Sequence, residues 1–435
     1  MSVRVRFAPS PTGQVHIGNI RAAIFNWLFA RHNNGAFLLR VEDTDRERST
    51  PEAVKAVLGA LEWLGLTYDD APVYQSTQLD RHRQAAESLL AKGHAYREDK
   101  GGTGQGECIV FRMPGTDMSF HDEVKGSLHK AAADMKDFVI VRSDGSPVFH
   151  LANVVDDITM GITHVIRGDD HVENTYRHVA LFQALDAPVP KYAHLPMIVN
   201  AQGKPYSKRD GAAYVGDFRE KGFLGEALFN SLALLGWSPG DDREKMTRQE
   251  MIAAFTLERV KSGPAQMDLK KLTHLNGLYL AEQPLDTFMA GISAFIARFD
   301  WAKDADPAYF RAVCQLMQSR SPLYSAAETW TYFFVAMPDY DPKAVDKVLR
   351  KDGVKASLSQ IRAGLAASDF SAEAAHRIVH DAEAAAGVGE GKLNQPLRVA
   401  VTGTTIGAGI FDIMAVLGRE RTMARLDHAL ANFCI

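Results

Sequence analysis

The sequence predicts an N-terminal α/β part that is interrupted by an α+β insertion and followed by an all-α C-terminal region. Strand and helix patterns alternate in residues 1–73 and again in residues 150–200, whereas residues 74–149 are irregular. From about residue 286 the apolar residues recur only with the helical period. A chain of 435 residues is too long for a single compact core, so several domains are expected.

The first segment begins with a predicted strand of alternating apolar residues, Val3, Val5 and Phe7. A cluster of Pro and Gly then breaks the strand, and residues 20–32 follow the helical period. The side chains of this helix that should face the core are Ile24, Trp27 and Leu28. Thr50 precedes Pro51 and is a suitable N-cap for a second helix.

The insertion and the second α/β segment carry further strand patterns. A glycine-rich break covers residues 100–106. The predicted strands are residues 108–113, 138–142, 154–155 and 164–166. Residues 178–185 are predicted as a helix, and beyond Thr247 the chain is almost wholly helical by period.

A glycine-bearing motif, residues 9–19, lies at the first strand-to-helix turn. Backbone N–H groups at the start of a helix, together with the helix dipole, favour a phosphate, and Gly18 lets the backbone approach it closely. His16 and Asn19 add two neutral side-chain donors. The motif therefore predicts one half of a nucleotide site.

A second motif, residues 203–209, supplies the positive charge that the first lacks. Lys204, Lys208 and Arg209 lie on a glycine-flanked loop and can neutralise the charge that develops on a leaving pyrophosphate. Either motif alone is a weak signal, but the pair predicts a site for ATP.

At these residues the chain resembles the class I aminoacyl-tRNA synthetases, which carry a His-x-Gly-His-like element and a Lys-Met-Ser-Lys-Ser-like element. Residues 13–19 and 205–209 match the two elements. Further matching stretches are residues 6–13, 40–49, 165–171, 234–241 and 392–398. They narrow the resemblance to the bacterial glutamyl-tRNA synthetases, along nearly the whole chain.

The resemblance implies a division of the chain into four parts. Residues 1–73 and 150–200 would form a Rossmann-type catalytic domain, and residues 74–149 an inserted connective domain for the tRNA acceptor end. Residues 201–285 would carry the second signature loop and a tRNA stem-contact segment, and residues 286–435 an all-helical anticodon-binding region. The expected anticodon contacts lie among Lys343, Lys347, Arg350, Lys351 and Arg362.

The resemblance also implies a function for the individual site residues. The catalytic set would be His16, Asn19, Lys208 and Arg209. ATP would be bound by Thr12, Gly13, His16, Gly18, Asn19, Ser207 and Lys208. Glutamate would be bound by Arg6, Ala8, Ser10, Glu42, Asn153 and Arg167. Arginine suits a carboxylate because its guanidinium is planar and always charged.

The implied reaction needs no nucleophilic side chain. The glutamate α-carboxylate attacks the α-phosphorus of ATP, and the 3′ end of tRNA(Glu) then takes the glutamyl group. Catalysis is therefore expected to depend on positioning and electrostatics. Mg²⁺ is expected to accompany ATP, mainly through the phosphates.

Three departures from the family pattern are visible. Arg97-Glu98-Asp99 stands where many relatives carry zinc-binding cysteines, so no structural zinc is predicted. Phe149 replaces a common tyrosine, so a hydroxyl near the amino acid is missing. Pro205 replaces the first lysine of the second motif, and the preceding Lys204 is its expected substitute.

Two acidic clusters, Asp156–Asp157 and Asp169–His171, raise the possibility of a metal site. Paired carboxylates near buried strands are more often hydrogen-bonding groups, so a supporting function is predicted and no metal ligand is named. The histidines at 121, 129 and 150 have no ligand spacing either.

Composition restricts the class of protein. The net charge of −4 argues against an indiscriminate nucleic-acid binder, so any RNA contact must come from local patches. The cysteines, Cys108, Cys314 and Cys434, form neither a disulfide framework nor a Cys-x-x-Cys metal site. No stretch approaches ~18 consecutive apolar residues, and no signal core is apparent. A monomeric cytoplasmic enzyme without a membrane contact is expected.

Several alternatives stay open at this point. The enzyme could be non-discriminating and also charge tRNA(Gln). A glutamyl-queuosine tRNA synthetase would resemble only the catalytic half and end near residue 300, which the helical tail disfavours. The same tail disfavours a glutaminyl-tRNA synthetase, whose C-terminal region is β-barrel. A non-catalytic tRNA-binding paralogue is permitted by Pro205 and Phe149 but disfavoured by the retained motif residues.

Overall fold

The computed structural model describes residues 2–45, 48–99 and 106–435, and the chain forms two compact units. The first unit contains Met1–Glu220 and Gly225–Leu275, and the second contains Lys221–Leu224 and Asn276–Ile435. The glycine-rich break predicted at residues 100–106 lies, except for Gly106, outside the described residues, as do Arg46 and Glu47 of the run at residues 40–49.

The first unit contains all the described strands. They are β1 (Arg4–Phe7), β2 (Ala36–Val41), β3 (Val73–Tyr74), β4 (Ala95–Asp99), β5 (Glu107–Phe111), β6 (Met118–Asp122), β7 (Gly126–Lys130), β8 (Phe138–Val141), β9 (His164–Gly168), β10 (Lys191–Leu195), β11 (Ile198–Val199) and β12 (Ala265–Gln266). The helices that begin in this unit are α1 (Ile17–His32), α2 (Pro51–Trp63), α3 (Leu79–Ala91), α4 (Phe149–Thr159), α5 (Val172–Ala184), α6 (Val215–Glu220), α7 (Gly225–Leu234), α8 (Arg248–Ala254) and α9 (Leu269–Glu282).

Parallel strands followed by helices confirm the α/β prediction. One sheet has the parallel order β1-β2-β3, and a second has the order β7-β6-β10-β9. In the second sheet β10 pairs in parallel with both β9 and β6, while β6 and β7 form an antiparallel hairpin. The hairpin β6–β7 of the insertion therefore belongs to the same sheet as β9 and β10. The other strands of the insertion form an antiparallel sheet, β4-β5-β8.

One predicted strand is wrong. Val154 and Val155 lie in the middle of α4, which is buried on several sides from Leu151 to Asp157. A short, continuous apolar run fits a buried strand and a buried helix equally well by periodicity, so the sequence alone could not separate the two. Asn153, Asp156 and Asp157 therefore lie on one helix, and Asp157 accepts from Arg6 of β1.

The predicted cap of α2 is confirmed, because the Thr50 side chain accepts a hydrogen bond from the Ala53 backbone N–H. We expect Thr50→Ala to lower the free energy of unfolding of the first unit by about 1 kcal/mol, the usual value of an N-cap. Denaturant titration followed by the fluorescence of the chain measures this, with Thr50→Ser as the matched control that retains the hydroxyl. Equal stability of the alanine and serine variants would contradict the cap.

The second unit is all-α within the described residues, as predicted. Its remaining α-helices are α10 (Leu285–Ile296), α11 (Asp300–Lys303), α12 (Pro307–Met317), α13 (Thr331–Phe334), α14 (Pro342–Ala344), α15 (Val354–Ala367), α16 (Ala372–Ala386), α17 (Asn394–Thr402) and α18 (Ile410–Asn432). Arg425 of α18 is fully buried in this unit and donates to the carbonyls of Tyr332, Val335, Ala336 and Val401. The Arg425 side chain therefore provides hydrogen-bond donors for four backbone carbonyl oxygens at or beyond helix ends.

Candidate active site

A cavity of about 510 Å³ opens where β1 and β9 end and α1 begins. The predicted site residues that line it are Arg6, Ala8, Ser10, Thr12, His16, Gly18, Asn19, Glu42, Asn153 and Arg167. Gly13, Ser207, Lys208 and Arg209 are not among its lining residues, although Pro205 and Tyr206 of the second motif are. The cavity thus brings together most of the residues that the sequence singled out.

His16 is the N-cap of α1, and its ring is engaged within the chain. Its Nδ1 accepts a hydrogen bond from the Gly18 N–H at 3.1 Å, and the ring also hydrogen-bonds to the backbone of Tyr206. Burial lowers the pKa of His16, so the imidazole is neutral near pH 7. The prediction of a neutral histidine in the first motif agrees with this environment, but its donor is turned toward the second motif.

Two residues that were not predicted as part of the site, Asn200 and Asp210, stabilise the conformation of the second motif. The carboxylate of Asp210 accepts from the Ser207 N–H at 2.9 Å and from the Ser207 hydroxyl at 3.1 Å. The amide of Asn200 donates to the other oxygen of Asp210 at 2.7 Å. These bonds fix the turn Lys208–Asp210, while the side chains of Lys208 and Arg209 remain exposed.

Tyr214 lies between the two motifs. Its ring packs edge to face against His16, with centroids 5.8 Å apart, and Lys208 Nζ lies 5.8 Å from the centroid of the same ring. Backbone hydrogen bonds on either side, Ile17 N–H to Ala213 and Val215 N–H to Val15, join the two segments. The lysine of the second motif is therefore held near the start of α1 by a cation–π contact.

Arg6 and Arg40 share one buried carboxylate, Asp157. Arg6 Nε donates to it at 3.0 Å, and Arg40 also forms an ion pair with Glu42 at 3.1 Å. Although burial opposes the charge, these two arginines lower the pKa of Asp157, which stays ionised. The charge of Arg6 is thus largely compensated within the protein, so it is a weaker candidate for a substrate carboxylate than the sequence suggested.

Oxygen acceptors lie along one side of the cavity. Glu42 Oε1 accepts from the Asn153 amide at 3.0 Å, and the Ser10 hydroxyl lies 3.5 Å from Oε2. The amide oxygen of Asn153 is buried and has no hydrogen-bond partner among the described residues. A carboxylate beside an unpaired amide oxygen is suited to an ammonium group.

Arg167 is buried and is held only by neutral groups. Its Nε donates to His194 Nε2 at 3.2 Å, and its Nη2 donates to the Thr175 hydroxyl at 2.8 Å and to the His171 carbonyl at 3.3 Å. Its Nη1 lies 3.4 Å from His178 Nδ1. No carboxylate forms an ion pair with it within the described ranges, and burial lowers its pKa to about 10. A buried guanidinium without a counter-ion favours an anionic ligand.

The acidic clusters carry hydrogen bonds, which is the supporting function predicted for them. Asp156 accepts from Gln75 at 2.8 Å and contacts His82 at 2.7 Å, and Asp169 forms an ion pair with Lys125 at 2.9 Å. In the part of the chain that the structure describes, no group of three or more His, Cys, Asp or Glu is suited to a metal ion. None of the described helices is long and apolar enough to span a bilayer.

Two of the five basic residues expected at the anticodon are engaged in ion pairs. Arg350 pairs with Asp346 at 2.7 Å, and Arg362 pairs with Asp427 through two bonds of 2.7 and 2.9 Å. Both pairs are exposed and worth little in stability, so either arginine can exchange its partner at small cost.

Comparison with known families covers both units. Residues 2–103 and 98–274 match the family "tRNA synthetases class I (E and Q), catalytic domain". Residues 286–430 match the family "Anticodon binding domain".

Full-length relatives share one name. The glutamate–tRNA ligase of Xanthomonas axonopodis pv. citri is 42% identical and is aligned over 99% of both chains. Glutamate–tRNA ligase 1 of Caldanaerobacter subterraneus subsp. tengcongensis is 37% identical over 98% of this chain and 97% of its own. The solved structure of a glutamate–tRNA ligase from Elizabethkingia meningosepticum, in complex with its amino acid, has 29% identity and a TM-score of 0.88 and covers 100% of both chains. The chain therefore belongs to the glutamate–tRNA ligase family, with a class I catalytic domain followed by an anticodon-binding domain.

Proposed function

We propose that this protein activates L-glutamate with ATP and transfers the glutamyl group to the 3′ end of tRNA(Glu). The observation that carries the proposal is the uncompensated, buried Arg167, which lies in the same cavity as Glu42, Asn153 and the start of α1. Membership of the glutamate–tRNA ligase family supports the same activity.

The polar groups of the cavity suggest how glutamate is oriented. Arg167 binds the side-chain carboxylate, and Glu42 and the free amide oxygen of Asn153 bind the α-ammonium. Arg6, though paired with Asp157, keeps one terminal nitrogen for a carboxylate, and the backbone at Ala8 and Ser10 forms the floor. Glutamine lacks the negative charge, so it leaves Arg167 without an anion and is rejected.

ATP is proposed to bind at the start of α1 through Thr12, Gly13, Gly18 and Asn19, of which all but Gly13 line the cavity. Lys208 then leaves the Tyr214 ring, because a phosphate attracts an ammonium more strongly than an exposed aromatic face does. Lys208 and Arg209 stabilise the charge on the departing pyrophosphate, and Ser207 fixes the turn that carries them. His16 and Asn19 are proposed to contact the triphosphate in the transition state, for which the His16 ring must exchange its hydrogen bond to the Tyr206 backbone. Mg²⁺ accompanies ATP through the phosphates.

The parts of the chain are proposed to contact tRNA as the family resemblance implies. Residues 74–149 bind the acceptor end, residues 201–285 contact the stem, and residues 286–435 read the anticodon. The match of residues 286–430 to an anticodon-binding domain supports the last assignment. Charging of tRNA(Gln) remains the second candidate activity, and a monomer in the cytoplasm without structural zinc remains the expected form.

Charging assays test the proposed function. Purified protein with ATP, Mg²⁺ and a zinc chelator is given labelled glutamate and, separately, tRNA(Glu), tRNA(Gln) or tRNA(Asp). We expect label on tRNA(Glu); additional label on tRNA(Gln) would establish a non-discriminating enzyme, and label on tRNA(Asp) alone a queuosine-modifying one. Binding of tRNA without any charging would refute the proposal in favour of a non-catalytic protein.

Phe149 provides a test of the amino-acid end of the cavity. It lines the cavity beside His171, with ring centroids 6.0 Å apart. We expect Phe149→Tyr to lower the KM for glutamate, because the added hydroxyl supplies a donor for the substrate in place of an apolar edge. Steady-state charging measures the KM, and Phe138→Tyr, outside the lining, is the matched control. A KM unchanged in both variants would mean that the hydroxyl has no partner in the cavity.

A further inference from the structure

The guanidinium of Arg167 differs from those of Arg6 and Arg40 in what holds it. Arg6 and Arg40 share the carboxylate of Asp157, and Arg40 is also paired with Glu42, so negatively charged groups hold both. Arg167 is fixed by ring nitrogens, a hydroxyl and a carbonyl, which orient the group without neutralising it. Orientation without neutralisation requires acceptors that are themselves uncharged.

An imidazole can accept from an arginine only if the nitrogen facing it carries no proton. His194 meets this condition because its other nitrogen, Nδ1, donates to Asp122 Oδ2 at 2.6 Å. The carboxylate of Asp122 is held in turn by the backbone N–H groups of Val124 and Lys125, at 3.0 and 2.8 Å. Burial lowers the pKa of His194, and hydrogen bonding from His194 lowers the pKa of Asp122 against the effect of burial. Asp122 is therefore ionised and His194 neutral, with its proton on Nδ1.

The second imidazole, His178, has no such fixed tautomer. Its Nε2 lies 3.2 Å from His150 Nδ1, and His150 Nε2 lies 3.4 Å from Arg177 Nη1. If His178 accepts from Arg167, it donates to His150, which then carries its proton on Nε2 and cannot accept from Arg177. The linked rings of His150 and His178 can accept a hydrogen bond from Arg167 or from Arg177, but not from both. His194 is therefore the imidazole that always accepts from Arg167.

We propose that His194 is a positioning residue for glutamate selection: its unprotonated Nε2 orients Arg167 toward the substrate side chain, and Asp122 of the insertion fixes the required tautomer. The inference rests on the proposed function, because it assigns the side-chain carboxylate of glutamate to Arg167. Asp122 and His194 act through Arg167 and do not touch the substrate.

Two amide substitutions separate this function from a merely structural one. In His194→Gln the amide oxygen occupies the place of Nε2 and can accept from Arg167, but the bond to Asp122 is lost. In His194→Asn the amide lies at the place of Nδ1 and can donate to Asp122, but the acceptor for Arg167 Nε is lost. We expect the KM for glutamate to rise ~10-fold in His194→Asn and less than ~3-fold in His194→Gln, the scale of one hydrogen bond to a charged group.

Charging of tRNA(Glu) is measured for the wild type, both variants and His164→Asn, a histidine on the neighbouring strand that does not line the cavity. Glutamine is titrated as a competitor, and its relative affinity should increase in His194→Asn alone, while kcat stays within ~3-fold. A higher KM in His194→Gln than in His194→Asn, or equal values in both, would overturn the positioning function. Absence of charging by the wild type would instead refute the proposed function itself.

Discussion

Replacement of Arg167 by glutamine is expected to raise the KM for glutamate at least ~100-fold. Removal of one partner from a buried, hydrogen-bonded charge pair costs about 2–5 kcal/mol, which corresponds to a factor of ~30 to ~5,000. The loss should lie above the lower end of this range because Arg6, the other arginine proposed for a glutamate carboxylate, already shares Asp157 with Arg40. The selectivity for glutamate over glutamine should fall with it.

The measurement is steady-state charging of tRNA(Glu) over a range of glutamate concentrations, with glutamine as a competitor. Arg4→Gln is the matched control. Arg4 lies on β1, but it pairs with Asp70 at 3.2 Å and is partly exposed. A KM for Arg167→Gln within ~3-fold of the wild type would remove Arg167 from the glutamate site and leave Arg6 as the candidate.

The second large effect is expected for Lys208→Ala, which should lower the rate of glutamyl-adenylate formation at least ~100-fold. Loss of one preorganised group that stabilises transition-state charge usually costs that factor. The KM for ATP should change less than kcat, because Lys208 is proposed to stabilise the charge that develops on the departing pyrophosphate more than the charge of bound ATP.

Lys208→Arg retains the charge and should recover most of the rate. A separate variant, Lys204→Ala, tests whether Lys204 substitutes for the first lysine of the family motif, in whose place this chain has Pro205. Single-turnover formation of adenylate, in the presence of tRNA(Glu), is the appropriate readout. Undiminished turnover in Lys208→Ala would exclude this lysine from the mechanism.

The local features of the molecule were predictable from the sequence. The alternation of Val3, Val5 and Phe7, the cap at Thr50 and the helical period of the last 150 or so residues each depend on neighbours along the chain. The strand at Val154 was wrong for a local reason as well, because a short apolar run such as Val154-Val155 fits a buried strand and a buried helix equally well.

The electrostatic partners of the site were not predictable. Asp157 lies 151 positions from Arg6, and Asp122 lies 72 positions from His194, so neither pair has a sequence signature. The sequence indicated which arginines belong to the cavity but not which of them is neutralised, since that depends on side chains that only the fold brings together. Tyr214 and Asp210 were not predicted because both lie just after the second motif and are not part of it.

The pairing of β6 with β10 limits how this protein can be re-engineered. The register places Asp122 beside Tyr192, at the strand that also carries His194. The following turn delivers Lys125 to Asp169 on the cavity wall. If residues 74–149 were exchanged for the corresponding segment of another protein, the residues that support this wall of the cavity would be exchanged as well. A working chimera must retain a strand in this register and an acid at its end, so the segment is not an interchangeable module.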